Sequence, residues 1–181
     1  MRVIAGKYRG RPLKGPKHAG VRPTADRVKE SLFNIIGAGI QGAAFLDLFA
    51  GTGGIGIEAI SRGAANVVFA DQNSLSVKLI YQNLTIMQPG EQVRVLHFSF
   101  DRAIDQLVKE NAHFDLVFLD PPFEGGILIE AIEKIIENNL LKENGAIIAE
   151  HPRKLLLNIL GLEGETRNYG DISLTFLNRR C

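Results

Sequence analysis

Acids and glycines recur at the ends of apolar runs, in a spacing that suits cofactor chemistry. Gly51, Gly53 and Gly56 satisfy G-x-G-x-x-G directly after the apolar run Ala43–Phe49. Glycines in such a loop let the main chain turn sharply and come close to a ligand. Asp71 follows Gly51 by 20 residues, at the end of the next apolar run. A carboxylate there accepts hydrogen bonds from both hydroxyls of a ribose. The pattern predicts an adenosine-containing cofactor and leaves two classes open. A dinucleotide would set its pyrophosphate on the helix N-terminus. S-adenosylmethionine has no phosphate there and presents an ammonium group, which needs an acceptor. Asp47 lies inside the first run, four residues before Gly51. An acid at that point suits an ammonium, or the ordering of the loop backbone. The bland alternative is a helix-capping loop that binds nothing.

Asp120–Pro121–Pro122–Phe123 ends the fourth apolar run. In open α/β sheets ligands gather at the carboxyl ends of strands, near the switch point. Two prolines fix the backbone and remove two N–H donors. What points outward is acceptors, the Asp120 carboxylate and the Pro121 carbonyl. Such a pair orients the two hydrogens of an exocyclic amino group while its weakly nucleophilic nitrogen attacks a methyl sulfonium. Phe123 offers a face for base stacking, worth about 1–3 kcal/mol, and Pro122 lies beside it. A base inside a duplex must be flipped out to reach such a site. A dehydrogenase needs no acceptor pair of this kind. The competing reading is a Pro–Pro strand stop with Phe123 in the core.

These residues need elements to position them. Thr24 is an N-cap candidate for a helix carrying Val28, Leu32, Phe33, Ile35 and Ile36, with Gly37 and Gly39 as stops. Strands are predicted at Ala43–Phe49, Val67–Asp71, Val93–Phe98, Phe114–Asp120 and Ala146–Glu150. Helices are predicted near Ile55–Arg62, Ser74–Met87, Arg102–Glu110 and Leu128–Asn138. Compact apolar strands joined by crossover helices predict a mostly parallel, doubly wound α/β sheet. Gly170–Asp171 marks a turn, and the alternation of Ile172, Leu174 and Phe176 predicts a half-buried antiparallel C-terminal hairpin. Val3–Ala5 with Tyr8 and Arg11–Leu13 read as an N-terminal hairpin or arm rather than a core element. The expected division is an arm over 1–22, extending the domain formed by 23–181.

The chain has 181 residues, 45% of them apolar, and a formal net charge of +1. That total conceals an asymmetry. Residues 1–30 hold nine basic and two acidic groups, and the remainder holds 12 basic and 18 acidic. Residues 1–25 carry seven cations, among them Arg2, Lys7, Arg9, Arg11 and Arg22, and no acid. This predicts a polyanion contact, RNA phosphate in particular. The single cysteine, Cys181, excludes an intramolecular disulfide framework and a cysteine-rich zinc site. His18, His97, His113 and His151 are scattered without metal-ligand spacing, so no metal is expected. No apolar run approaches the roughly 18 residues of a membrane span, and Val3–Ala5 is too short for a signal-peptide core. A cytoplasmic protein is expected.

Taken together, Asp47–Leu–Phe–Ala–Gly–Thr–Gly53, Asp71 and Asp120–Pro–Pro–Phe123 resemble the Class I, S-adenosylmethionine-dependent amino methyltransferases. Arg2–Val–Ile–Ala–Gly–Lys7 with Arg9–Gly–Arg11, then Arg22–Pro–Thr24, Asp26–Arg27–Val28 and Glu30, are similar to the RsmD family, as is Tyr169–Gly170–Asp171. That family methylates the N2 of a guanine in small-subunit (16S) ribosomal RNA. The resemblance implies a Rossmann-like methyltransferase fold. It implies that Asp47, Phe49, Ala50, Gly51, Thr52 and Gly53, with Asp71 and Gln72, hold the cofactor. It implies that Asp120, Pro121 and Phe123 act on the guanine with Pro122 beside it, and that Arg22, Thr24 and Arg27 help close the site on RNA. Many relatives carry an acid–alanine or asparagine–alanine pair near the adenine. Here that position holds Ser99–Phe100, and Asp101 is an alternative contact. The expected partner is ribosomal RNA or the small subunit, an assembly intermediate included, with the protein a monomer. Adenine-N6 or protein-glutamine methylation, a nicotinamide-dependent oxidoreductase and a non-enzymatic RNA-binding module are the alternatives.

Overall fold

The computed structural model describes residues 1–15, 26–88, 90, 92–122 and 126–179. Arg22, Thr24, Phe123, His18 and Cys181 lie outside the described residues. The elements run α1 (Asp26–Ile36), a 3₁₀ turn (Gly37–Ile40), β1 (Ala44–Leu48), α2 (Gly54–Ser61), β2 (Asn66–Ala70), α3 (Ser74–Met87) and β3 (Val93–Leu96). They continue with α4 (Phe100–Lys109), β4 (Phe114–Leu119), α5 (Ile127–Glu137), β5 (Leu141–Pro152), β6 (Leu162–Tyr169) and β7 (Ile172–Arg179). Seven strands form one sheet in the order β3-β2-β1-β4-β5-β7-β6. The first five are parallel, and β7 joins β5 and β6 antiparallel. The order reverses between β1 and β4, which puts a crevice at the carboxyl ends of those strands.

Central strands are continuous apolar runs because helices cover both faces. Phe45, Phe69, Phe118 and Ile148 face one layer with α1, α2 and α3. Leu46, Leu48, Val117, Leu119 and Ile147 face the other with α4 and α5. Helix α4 buries Ala103, Ile104 and Leu107, one stripe at helical spacing.

Three expectations change. Strand β5 is longer than Ala146–Glu150, because Leu141 pairs with Phe114 across a register shift. Strand β7 is buried on both faces from Ile172 to Leu177, since it pairs on both sides; β6 is the exposed edge strand. The N-terminal segment is part of the core, not an appended arm: Val3, Tyr8 and Leu13 are buried in the same layer as α1 and α2. It forms a tight loop closed by one antiparallel bridge, Arg2 with Pro12, rather than two strands.

Carboxylate chemistry explains that docking. Glu58, fully buried on α2, accepts hydrogen bonds from the backbone N–H of Ile4 at 2.8 Å and of Ala5 at 2.9 Å. Its other partners are Arg62 Nε at 2.9 Å and Lys29 Nζ at 3.5 Å. Lys29 also donates to the Arg2 carbonyl at 2.6 Å, so α1, α2 and the N-terminal loop share one buried charge cluster. Burial pushes the Lys29 ammonium below its usual range, against the pull of Glu58. Ser61 adds a hydroxyl that accepts from Tyr8 N at 2.9 Å, and its carbonyl accepts from Lys7 N at 2.7 Å. Gly6 makes the approach possible: its φ is +83°, and a Cβ there would lie 1.8 Å from the Ser61 carbonyl oxygen. Removing one member of a buried charge pair typically costs about 3–5 kcal/mol. Glu58→Ala is therefore expected to lower the stability measured by urea unfolding by about that amount and to make the N-terminal loop the first site of proteolysis. A loss under about 1 kcal/mol would show that the cluster is not what seats the loop.

Candidate active site

The crevice at the switch point is a cleft of about 640 Å³. Its floor is the turn after β1. Phe49 has φ +76°, unusual for an aromatic residue and a mark of a constrained backbone. Phe49 and Ala50 donate their N–H groups to the Ala70 carbonyl at 3.0 and 2.9 Å, which pins the turn to β2. Gly53 at the N-cap of α2 has no side chain to cap it. Asp47 does that work from β1, accepting from Gly56 N at 2.8 Å. The third glycine is sterically required: a Cβ on Gly56 would lie 2.2 Å from the Phe69 ring. Asp71 accepts from Gly51 N at 2.8 Å with one oxygen and from Asn73 N at 2.7 Å with the other. Asn73 in turn caps α3 by accepting from Leu75 N at 2.8 Å.

Of the acids expected to serve a ligand, two therefore also order the backbone. Carboxylate oxygens hold two lone pairs each, so Asp71 keeps acceptor capacity toward the cleft. Asp47 is fully buried, and its carboxyl is pushed up to about 7. Burial is the main cause; the Gly56 N–H pulls the other way, and the nearby Asp71 charge adds to the rise.

The cleft is lined by Asp47, Phe49, Ala50, Gly51 and Thr52, by Asp71 and Gln72, and by Ser99 and Phe100. Asp120, Pro121 and Pro122 line it from β4. Pairing of Asp47 with Phe118 puts Asp120 two residues further along β4, on the same sheet face as Asp47. Gly53 does not line the cleft; it packs under the loop against Ile80 and Phe69. Ser99 is the N-cap of α4 without a side-chain cap bond, and Phe100 packs on Phe49 with ring centroids 5.6 Å apart. Asp101 is ion-paired with Lys134.

The cations of the N-terminal loop stand outside the cleft. Arg2 pairs with Asp26 at 3.5 Å, Lys7 and Arg11 lie over the Tyr8 ring, and Arg9 and Arg27 are exposed. Among the cleft residues that escaped the sequence reading are Met1, Lys29 and Glu150. Met1 lies near the glycine loop, with its sulfur 3.6 Å from the Thr52 hydroxyl. Lys29 precedes Phe33 by four on the apolar stripe of α1, a position that signals burial. Glu150 follows the apolar run Ala146–Ala149, as Asp120 follows its own, and lies within β5. Among the described residues, no group of three His, Cys, Asp or Glu is arranged to hold a metal ion. No helix there is long and apolar enough to cross a membrane.

A family model described as conserved hypothetical protein 95 matches residues 1–178. The Haemophilus influenzae protein named ribosomal RNA small subunit methyltransferase D is 42% identical over 151 residues, covering 83% of this chain and 78% of that protein. The Escherichia coli K12 protein of the same name is 37% identical over 150 residues, covering 83% and 74%. The solved Escherichia coli chain yhhF superposes with a TM-score of 0.87 at 32% identity, covering 99% of this chain and 98% of its own.

A group whose folded value lies above its unfolded one stabilises fully at low pH, and that contribution is lost as pH rises through the folded value. For Asp47 the window runs from about 4 to about 7. Asp47→Asn keeps an acceptor for Gly56 N and removes the titration. Unfolding measured across pH should show the variant gaining on the wild type by up to roughly 1.4 kcal/mol per pH unit in that window. A constant difference would mean that Asp47 is ionised throughout.

Proposed function

We propose a function from the premise that this chain belongs to the RsmD family, matched over residues 1–178 and by relatives 37–42% identical. It is an S-adenosylmethionine-dependent methyltransferase, and its reaction is methylation of the exocyclic N2 of a guanine in small-subunit ribosomal RNA. The observation that carries the cofactor choice is Asp47 on the N-terminus of α2. A dinucleotide needs that helix end for its pyrophosphate. Here a buried carboxyl already takes the third N–H of the helix, and Asp71 takes the N–H of Gly51. Two acids at that point oppose a phosphate and favour a cation. The donor set fits S-adenosylmethionine, whose ammonium and sulfonium are both positive.

Asp47 and the main chain of Phe49–Gly51 would hold the amino-acid end of the cofactor. Asp71 would hold its ribose, with Gln72 alongside. Phe100 would pack on the adenine and Ser99 bond its edge. When bound, the cofactor supplies a methyl on sulfonium sulfur; transfer forms the N2–carbon bond and breaks the carbon–sulfur bond, whose electron pair stays on sulfur. The Asp120 carboxylate and the Pro121 carbonyl accept from the two N2 hydrogens and hold the nitrogen lone pair toward the methyl. Asp120 receives the departing proton, directly or through water. Pro122 and Phe123 support the flipped base. Arg2, Lys7, Arg9, Arg11, Arg22, Thr24 and Arg27 would meet RNA phosphates, which positions the RNA without reading its sequence. The protein acts as a cytoplasmic monomer, without a metal, on RNA in the small subunit or its assembly intermediate.

Asp120→Ala separates this reading from a binding module. Methyl transfer is expected to fall by at least about 100-fold, with S-adenosylmethionine affinity by calorimetry within about threefold of wild type. Unchanged turnover in the variant would remove Asp120 from the chemistry.

A further inference from the structure

Asp120 has a carboxylate neighbour that the proposed chemistry does not use. In the β4–β5 ladder Phe118 pairs with Ile148 and Leu119 with Ala149. One step further, that register sets Asp120 beside Glu150. Phe118 and Ile148 belong to the same core layer, so residues two further along each strand, Asp120 and Glu150, return to that face. Both line the cleft, and Glu150 is only 6% exposed. Parallel strands are spaced by about 4.8 Å, so the two residues are neighbours on the face that lines the cleft.

The chemistry of guanine supplies a use for the second acid. Its Watson–Crick edge presents N2 with two hydrogens and, beside it, an N1–H donor. Adenine and 2-aminopurine have a bare N1 that accepts. Asp120 and Pro121 account for the two hydrogens of the amino group, and that leaves N1–H needing an acceptor. We infer that Glu150 is a specificity-determining residue, whose carboxylate accepts the N1–H of the target guanine while Asp120 holds N2. The inference rests on the proposed guanine-N2 reaction. It gives a use to an acid buried within β5 at the level of the Asp120 motif, and it assigns the choice of base to a residue separate from the methyl-transfer machinery. A site that bonds a donor discriminates strongly against an analogue that lacks it.

The test uses small-subunit particles rebuilt with either guanine or 2-aminopurine at the target position. Both bases carry the 2-amino group, and only guanine has N1–H. Wild type is expected to favour guanine in kcat/KM by at least about 100-fold. In Glu150→Gln the amide N–H can donate to the bare N1 of 2-aminopurine. The preference should narrow to less than about tenfold, with S-adenosylmethionine affinity unchanged. Glu150→Asp keeps an acceptor and should retain the preference at lower kcat/KM, which covers the case of a Gln variant that does not fold. An unchanged preference in Glu150→Gln, or a preference lost in Glu150→Asp while cofactor affinity holds, overturns the inference and makes Glu150 a structural acid. Absence of methylation of the guanine particle by wild type would instead overturn the reaction on which the inference rests.

Discussion

Buried carboxylates that accept backbone N–H groups hold the two ends of α2, and most of the architecture follows from that grip. At the N-terminal end Asp47 reaches from β1 to Gly56, at the turn where the chain must leave the sheet. Near the other end Glu58 draws in Ile4 and Ala5 and balances Lys29 and Arg62. Where the acceptor is ion-paired, as Glu58 is with Lys29 and Arg62, such hydrogen bonds are worth roughly 1.5–3 kcal/mol each, more than their neutral counterparts. Both acids are buried. The glycine turn and the N-terminal loop are thus fixed to one short helix, and the cleft lies over its N-terminal end.

That arrangement divides charge by place. Cations of the N-terminal loop stay exposed while its Val3, Tyr8 and Leu13 are sunk in the core. The cleft is lined by Asp47, Asp71, Asp120 and Glu150. A near-neutral chain therefore presents a basic surface suited to a polyanion and an acidic pocket suited to a cation. The same core carries both, so the basic surface is held in register with the acidic pocket.

The parallel half of the sheet was legible because its strands are compact apolar runs and its turns carry glycine, Asp–Pro or a helix cap. Asp71 and the Asp120 motif were legible because each closes such a run. The N-terminal loop was misread because its apolar residues are three among many cations; Glu58, which seats it, lies 54 residues from Ile4 in the chain. Lys29 and Glu150 were hidden for a related reason. A charged residue on an apolar stripe looks like an interruption until the partner from a distant element is in view. Burial of β7 on both faces likewise depends on β6 folding over as the outer strand, which alternation in one segment does not reveal.

Which base is methylated decides the proposed reaction. Small-subunit particles that lack the modification, incubated with the protein and S-adenosylmethionine carrying a labelled methyl, give the most direct answer once the product nucleoside is mapped by mass. The label is expected in N2-methylguanosine, at one position of the RNA. Label in methyladenosine alone, or none in RNA while cofactor binds, would contradict the account.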